Sequence, residues 1–225
     1  MPNGSLDKLL FRNDTPSLNW VRRYQILRGV ASALVYLHEE WQQVVLHRDV
    51  KASNVLLDAN LNRLLGDFGL SMFHDHGLTP EATNVVGTVG YLAPEVACGR
   101  KPVESEKPPE EVVLVDWVFE CWKRGTVLGT VDPRLEGNSA EEEMKLVLKL
   151  GLLCTHRTPS ARPSMRQAVQ YLDGNGTLPD LPLQGTGIGL VPVSSEASGE
   201  HVLTIPVSSE HISSCNLSES ILSGR

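Results

Sequence analysis

Three short motifs, in a fixed order along the first half of the chain, constrain its fold more than any other feature. His47-Arg-Asp-Val-Lys-Ala-Ser-Asn54 is followed by Asp67-Phe-Gly69 and then by Ala93-Pro-Glu95. β-Branched and leucine residues typical of short strands lie between the first two motifs. A single three-residue string occurs by chance in many proteins, but the ordered set does not. The set therefore indicates one defined site rather than unrelated loops.

The residue types in these motifs suit phosphoryl transfer, which needs positioning and charge neutralisation more than covalent chemistry. We expect Asp49 to accept the proton of a substrate hydroxyl and Lys51 to bring a positive charge to the transferring phosphate. Asn54 and Asp67 supply oxygen ligands of the kind that Mg²⁺ prefers, and a hairpin between them would bring both to one metal. The alternative is an Asp- and Asn-rich turn that caps strands, which would explain any one of these residues but not the set.

The chain resembles the C-terminal lobe of plant receptor-like serine/threonine protein kinases, and it is most similar to the branch with extracellular legume-lectin (L-type) domains. The resemblance runs from Met1 to about Gly174. Besides the motifs above, it rests on Tyr36-Leu-His-Glu-Glu-Trp41, Val86-Gly-Thr-Val-Gly-Tyr91, Val113-Leu-Val-Asp-Trp-Val118, Leu150-Gly-Leu-Leu-Cys154 and Ala161-Arg-Pro-Ser-Met165. It implies an α+β, mainly α fold and transfer of phosphate from MgATP to the Ser or Thr hydroxyls of a protein substrate.

The resemblance also assigns roles to residues around the nucleotide. Asp49 and Lys51 are the catalytic residues, and Asn54 and Asp67 hold Mg²⁺ and, with Lys51, the ATP phosphates. Met1 falls at the hinge that meets the adenine edge, and Leu56 falls under the adenine ring.

Further roles concern the activation segment and the lobe. Lys51 together with Gly87-Thr88 resembles the serine/threonine class rather than the tyrosine class. Arg48 resembles the arginine on which an activation segment docks a phosphate, and Thr79 and Thr83 are the candidate acceptors. The alternative for both threonines is an ordinary exposed loop. Arg162 matches the arginine that pairs with Glu95 and braces the lobe.

Two parts of the family pattern are expected to be missing. The small N-terminal lobe, with its Gly-rich loop and its phosphate-binding lysine, would precede Met1, and the glycines of residues 185–189 are interpreted as flexible tail instead. Glu95 also runs directly into Val96-Ala-Cys-Gly-Arg100, where the family has a further stretch with a central apolar helix. That helix would bury a large apolar area, at about 25 cal/mol for each Å². We therefore expect impaired stability and very weak or absent catalysis.

Two interpretations follow from these departures. The chain is either part of an ATP-dependent serine/threonine kinase whose activity is impaired in this shortened form, or a catalytically inactive kinase-like scaffold or dominant-negative interaction module that binds full-length receptor kinases. An incomplete gene model or alternative splicing would explain the two departures. The parent protein would be a plasma-membrane receptor with its kinase domain on the cytoplasmic side.

Hydrophobic spacing predicts a helix-dominated body with a small β insert. A helix capped by Asn19 is expected from there to about His38. Strands are expected at residues 44–46, 55–57 and 64–65, with a turn at 58–62, and a helix is expected at 112–122. Capping-box pairs at Ser139 and Ser164 predict two more helices, while residues 100–111 are expected to form an exposed loop.

Composition argues against certain binding partners, and it changes between the first 174 residues and the rest of the chain. With 20 basic and 27 acidic residues, the net charge of −7 argues against nucleic acid or an anionic membrane bound by bulk charge. No apolar run approaches the roughly 18 residues of a membrane span, so a cytoplasmic chain is expected. Residues 175–225 hold ten serines and a single basic residue, Arg225. We expect a partial kinase domain over residues 1–174 and a disordered Ser-rich tail over residues 175–225.

Overall fold

The computed structural model describes residues 1–12, 17–76, 89–135, 140–156 and 158–181, with the side chains of residues 89–91 outside the description. Within these ranges the chain is a mixed helix and strand structure in which helices dominate. The α-helices are α1 (Leu6–Leu10), α2 (Trp20–Val35), α3 (Val89–Cys98), α4 (Leu114–Lys123), α5 (Glu141–Cys154) and α6 (Met165–Leu172). The strands are β1 (Val44–Leu46), β2 (Val55–Leu57), β3 (Arg63–Leu65) and β4 (Met72–His74). The Ser-rich tail from residue 182 onward lies outside the described residues.

The helix predicted from Asn19 is confirmed as α2. The Asn19 side chain accepts a hydrogen bond from the backbone N–H of Arg22 at 3.0 Å, which satisfies one of the free donors at the start of the helix. The α-helical part ends at Val35, and the chain continues as a π-helical turn over Tyr36–Glu40. This turn covers the rest of the predicted span.

The predicted strands pair as two small antiparallel ladders. β2 pairs with β3 in the register Val55↔Leu65 and Leu57↔Arg63, which confirms the predicted hairpin. The carboxylate of Asp58 fixes the connecting turn because it accepts three hydrogen bonds of 2.8 Å from Asn60 and Asn62. Those bonds, with Asn62 first, lower the pKa of Asp58. β1 pairs with β4, a partner strand that the sequence did not predict.

The core lies among α2, α3, α5 and α6. Helix α3 runs without interruption across the junction of Glu95 and Val96, with Pro94 inside it, and Val96 and Ala97 are fully buried. The sequence did not predict this helix. A small apolar cavity of about 50 Å³ remains between the four helices. In the described residues no helix has the length and apolar character needed to cross a membrane.

A buried ion pair ties α2 to the segment after α4. Arg23 is fully buried, and its guanidinium binds the carboxylate of Asp132, 3% exposed, at 2.5 Å. The same guanidinium donates to the carbonyl oxygens of Leu18 and Val96 at 2.9 and 2.8 Å. Arg134 binds Asp132 from the other side. Burial by itself would raise the pKa of Asp132, but the hydrogen bonds from Arg134 and Arg23 hold it below its usual value.

The remaining predicted elements are largely confirmed. α4 covers the helix predicted at residues 112–122, shifted by two residues at its start. α6 begins with the predicted capping box, in which the Ser164 side chain accepts from the N–H of Gln167 and the Gln167 side chain accepts from the N–H of Ser164. Ser139 lies outside the described residues, and α5 begins after Ala140 without a side-chain cap.

Contacts of Arg100 hold the loop that was predicted at residues 100–111. Arg100 binds the carboxylates of Glu104 and Glu111 at 2.8 and 3.2 Å and lies over the ring of Trp117. A short 3₁₀ turn, Pro109–Glu111, closes the loop.

Candidate active site

The loop between β1 and β2 is organised around a buried histidine. The His47 side chain, 1% exposed, places Nε2 at 2.9 Å from the carbonyl oxygen of Gly66. Its Nδ1 accepts the backbone N–H of Asp49 at 3.3 Å, so the neutral ring carries its proton on Nε2. The ring also lies 4.6 Å from the ring of Phe68. His47 thereby joins the first motif to the second, a role that the sequence analysis did not assign to it.

Both motifs contain a residue with a left-handed backbone. Arg48 has φ 67° and Asp67 has φ 61°. A non-glycine residue rarely adopts this conformation, and such strain concentrates at functional sites. Each strained residue lies next to a contact of His47, so the buried ring and its hydrogen bonds stabilise both turns.

Asp49 is the centre of the polar cluster. Its carboxylate Oδ2 lies 2.8 Å from Lys51 Nζ and accepts a 3.0 Å hydrogen bond from the side-chain amide of Asn54. The same amide donates to the Asp49 carbonyl oxygen at 2.9 Å. Within the described residues the other oxygen, Oδ1, receives no hydrogen bond. The structure thus brings Asp49, Lys51 and Asn54 together, and it leaves one carboxylate oxygen to accept a proton.

The hairpin returns the chain to Asn54, as the sequence predicted. The backbone N–H of Gly66 donates to the carbonyl oxygen of Asn54 at 2.8 Å, which places Asp67 one residue beyond this contact. Asn54 is buried, whereas Asp67 is exposed and its Oδ1 accepts only a 3.4 Å bond from Gly69.

These two side chains fit a magnesium ion coordinated partly by other ligands. The Asn54 amide nitrogen is committed to Asp49, whereas its Oδ1 accepts only a long 3.5 Å bond from the Ser53 hydroxyl among the described residues and is the atom able to bind a cation. In the described part of the chain no three His, Cys, Asp or Glu side chains converge in a manner that could hold a metal. Mg²⁺ commonly takes one or two protein carboxylates and fills its remaining positions with water and substrate phosphate oxygens.

The N-terminal segment lies beside the residue predicted to contact adenine. The Leu57 N–H donates to the Gly4 carbonyl oxygen at 2.8 Å, and Ser5 pairs with Leu56 in an isolated antiparallel bridge. Met1 is 58% exposed and Leu56 is half-buried. The structure therefore brings the segment that begins at Met1 next to Leu56, although their contacts with a nucleotide stay predictions.

Glu95 and Arg162 have their described contacts elsewhere. Glu95, 2% exposed, accepts a 2.9 Å hydrogen bond from the backbone N–H of Ala52. Burial raises the pKa of Glu95 to about 8, partly opposed by this bond. Arg162 donates from Nε to the carbonyl oxygen of His156 at 2.7 Å. The predicted ion pair of Glu95 with Arg162 stays a prediction.

The predicted regulatory threonines cannot be placed. Thr79, Thr83 and Thr88 lie outside the described residues. Arg48, their predicted partner, lies in the strained turn before Asp49.

Comparison with known proteins agrees with the motif pattern. Residues 1–108 match the protein kinase domain family. The chain is 50% identical over 232 residues to the L-type lectin-domain containing receptor kinase SIT2 of Oryza sativa subsp. japonica, covering 93% of this chain and 34% of that protein. It is 51% identical over 219 residues to the putative L-type lectin-domain containing receptor kinase II.2 of Arabidopsis thaliana, covering 87% of this chain and 31% of that protein.

A third relative is longer than this chain over the stretch that the two share. The chain is 49% identical over 242 residues to the probable L-type lectin-domain containing receptor kinase I.5 of Arabidopsis thaliana, covering 98% of this chain and 36% of that protein. This alignment is longer than the chain's own 225 residues. The relative therefore has residues inside the aligned stretch that this chain lacks. The chain spans about a third of the length of each of these relatives.

Proposed function

We propose that this chain, whose residues 1–108 belong to the protein kinase domain family and which is related to plant L-type lectin-domain receptor kinases, is part of an ATP-dependent serine/threonine kinase. The observation that carries the proposal is the cluster at Asp49, in which Lys51 and Asn54 contact one carboxylate oxygen while the other receives no hydrogen bond from the described residues. A proton acceptor, a mobile positive charge and an amide ligand are the parts that phosphoryl transfer requires.

In the proposed mechanism Asp49 orients the hydroxyl of a protein substrate and accepts its proton on Oδ1. The Lys51 side chain is 40% exposed, so its ammonium group is able to exchange the Asp49 carboxylate for a phosphate oxygen. Asn54 Oδ1 and Asp67 would hold Mg²⁺, which neutralises phosphate charge when bound. The two hydrogen bonds from Asn54 keep Asp49 in one position while this exchange takes place.

The same proposal covers the architecture. We infer that residues 1–174 correspond to a partial C-terminal kinase lobe that lacks the family's central helix, and that the predicted tail begins later than residue 175, because Leu181 is buried in the core and Leu178 packs against it. Helix α3 supports this inference because it joins Ala93-Pro-Glu95 directly to the buried Val96 and Ala97. The nucleotide would lie between the segment at Met1 and Leu56. The parent protein would be a plasma-membrane receptor with this region in the cytoplasm.

A second candidate function is a kinase-like scaffold that binds full-length receptor kinases without transferring phosphate. The shortened stretch inside the alignment favours it, because residues present in the relative have no counterpart here. The scaffold would keep the loop around Asp49 but would lack part of the support for a nucleotide.

The test uses the purified 225-residue chain. Transfer of labelled phosphate from MgATP to a generic protein substrate is measured for the wild type, Asp49→Asn and the control Asp75→Asn, which changes an exposed aspartate in the loop after β4. We expect slow transfer that is lost in Asp49→Asn alone, together with a MgATP-dependent rise in melting temperature that is lost in Asp67→Asn. Capture of a full-length receptor kinase without transfer would support the scaffold. Absence of both transfer and the thermal shift would contradict the kinase proposal.

A further inference from the structure

A polar cleft of about 430 Å³ lies between α2 and the turn of the β2–β3 hairpin. Cationic and amide side chains form most of its lining. These are Arg22, Arg28, Arg63, Gln25, Asn60 and Asn62. No acidic residue is among the lining residues, so three positive charges converge on one space in a chain whose net charge is −7.

Two of the three guanidinium groups have no acidic partner among the residues that the structure describes. Arg28 donates from Nε to the carboxylate of Asp173 at 2.7 Å. Neither Arg22 nor Arg63 forms an ion pair within the described ranges, and the contact described for the Arg22 side chain is a 3.4 Å bond to the Gln25 amide. The charge of these two groups is therefore available to a ligand in the cleft.

The position of Arg63 follows from a glycine in α2. A Cβ atom added to Gly29 would overlap the Arg63 guanidinium, so this group lies directly against the helix backbone. The close approach places the Arg63 guanidinium between helix and hairpin. It also provides a way to move the guanidinium without changing Arg63 itself.

Asp58, the acidic residue of the hairpin turn, is held by hydrogen bonds within that turn. The Asp58 carboxylate accepts hydrogen bonds from the backbone N–H groups of Asn60 and Asn62 and from the Asn62 amide. These bonds hold it within the turn, and it is not part of the cleft lining. Asp58 is therefore not a carboxylate partner of Arg22 or Arg63.

We propose that this cleft binds the phosphate group of a phosphoserine or phosphothreonine peptide from a partner protein. A phosphate monoester carries nearly two negative charges and three acceptor oxygens, and arginine grips such groups with paired hydrogen bonds. The amides of Gln25 and Asn60 offer donors and acceptors to the backbone of an extended peptide. The lining contains no aromatic ring on which a nucleotide base could stack.

The cleft is separate from the candidate active site. Asn54 directly precedes β2, whereas the cleft lies at the far end of the hairpin, about 10 Å away along a three-residue strand. A peptide held there would leave the loop around Asp49 accessible. The proposal does not depend on catalysis by this chain.

The test measures binding of a fluorescent phosphoserine peptide to the full chain by anisotropy, without nucleotide or Mg²⁺. The unphosphorylated peptide, inorganic phosphate and ATP serve as competitors. We expect saturable binding that weakens as salt is added. We also expect the unphosphorylated peptide, inorganic phosphate and ATP to compete at least about tenfold more weakly, because each lacks either the phosphate or the peptide contacts.

Three variants locate the binding. Arg63→Gln and Arg22→Gln should each weaken binding by about tenfold, the usual cost of one charge-assisted contact. Gly29→Ala should weaken it similarly, because the new methyl group displaces the Arg63 guanidinium while the helix is kept. Arg124→Gln removes an exposed arginine at the end of α4 and should have no effect. Circular dichroism checks that each variant is folded.

Three results would overturn the proposal. One is equal binding of the phosphorylated and unphosphorylated peptides. Another is competition by ATP or inorganic phosphate as strong as that of the phosphopeptide, which would assign the cleft to a free anion. The last is unchanged binding in a folded Gly29→Ala or Arg63→Gln variant.

Discussion

The backbone N–H of Ala52 donates a 2.9 Å hydrogen bond to the carboxyl group of Glu95, and this bond joins α3 to the loop that carries Asp49 and Lys51. Glu95 is 2% exposed. Burial raises the pKa of Glu95 to about 8, so the buried carboxyl is largely protonated at neutral pH. At neutral pH, a protonated Glu95 therefore makes the contact between the motif Ala93-Pro-Glu95 and the motif that begins at His47.

This protonation state predicts how stability depends on pH. The pKa of Glu95 is about 8 in the folded chain against 4.5 for a free glutamate, so folding retains a proton that the unfolded chain releases. Its contribution is therefore present at pH 4.5 and below and is lost as the pH rises to 8. The unfolding free energy should decrease throughout this range, because the folded chain binds more protons than the unfolded chain.

Urea unfolding of the wild type and of Glu95→Gln at several pH values measures this effect. Glutamine keeps an acceptor for the Ala52 N–H but does not titrate, so the wild type should lose stability relative to the variant between pH 5 and pH 8. A stability difference that does not change across this pH range would mean that Glu95 is ionised in both the folded and the unfolded chain. That outcome is the one expected if Arg162 pairs with Glu95, as the family resemblance implies.

Asn54 is predicted to act by holding Asp49. Asn54→Ala removes the two hydrogen bonds to Asp49, at 2.9 and 3.0 Å, and one proposed Mg²⁺ ligand. Any phosphate transfer should fall by about a hundredfold, since small displacements of a catalytic group have effects of this size. The MgATP-dependent thermal shift should also disappear. Asn175→Ala, the same change at an exposed asparagine after α6, is the matched control and should retain both.

Local sequence patterns were sufficient wherever a structure depends on neighbouring residues. The Asn19 cap, the hairpin around Asp58 and the capping box at Ser164 each depend on residues within five positions of one another. The three motifs identified Asp49, Lys51 and Asn54 as a cluster, and the structure brings them together. The turn at Asp58 also explains why Asp67 returns towards Asn54.

Long-range contacts explain what the sequence could not predict. The contact of His47 with Gly66 and the hydrogen bond of Ala52 with Glu95 join residues 19 and 43 positions apart. Helix α3 was missed because Pro94 inside it is a signal against helix. Burial of Val96 and Ala97 against α5 overrides that local preference.

The buried pair of Arg23 and Asp132 should be essential for stability. Asp132→Ala leaves the fully buried guanidinium of Arg23 without its carboxylate, which typically costs about 3–5 kcal/mol. Glu142→Ala removes the exposed carboxylate that Lys145 contacts at 2.7 Å and should cost less than about 1 kcal/mol. Chemical denaturation of both variants at pH 7 gives the comparison. Similar small losses would show that the Asp132 network contributes little.

Two glycines inside helices should respond in opposite ways to the same substitution. At Gly151 in α5 an added Cβ would lie 2.8 Å from Pro94 Cδ and 3.2 Å from Ala93 Cβ. Both neighbours belong to α3, which is itself packed in the core. At Gly29 in α2 the three atoms nearest to the added methyl group all belong to the guanidinium of Arg63, which is the end of a flexible side chain. Alanine is favoured over glycine within a helix by about 1 kcal/mol at either site.

We therefore expect Gly29→Ala to raise the unfolding free energy by up to about 1 kcal/mol. Gly151→Ala should lower it, because overpacking of about 1–3 kcal/mol exceeds the gain in helix propensity. Thermal and urea unfolding of the two variants test this prediction, and Gly151→Ala combined with Pro94→Ala identifies the cause. If the clash with Pro94 is responsible, the double variant should lose less stability than the two single losses added together. Strict additivity, or a stable Gly151→Ala variant, would show that α3 and α5 are not held in contact at this point.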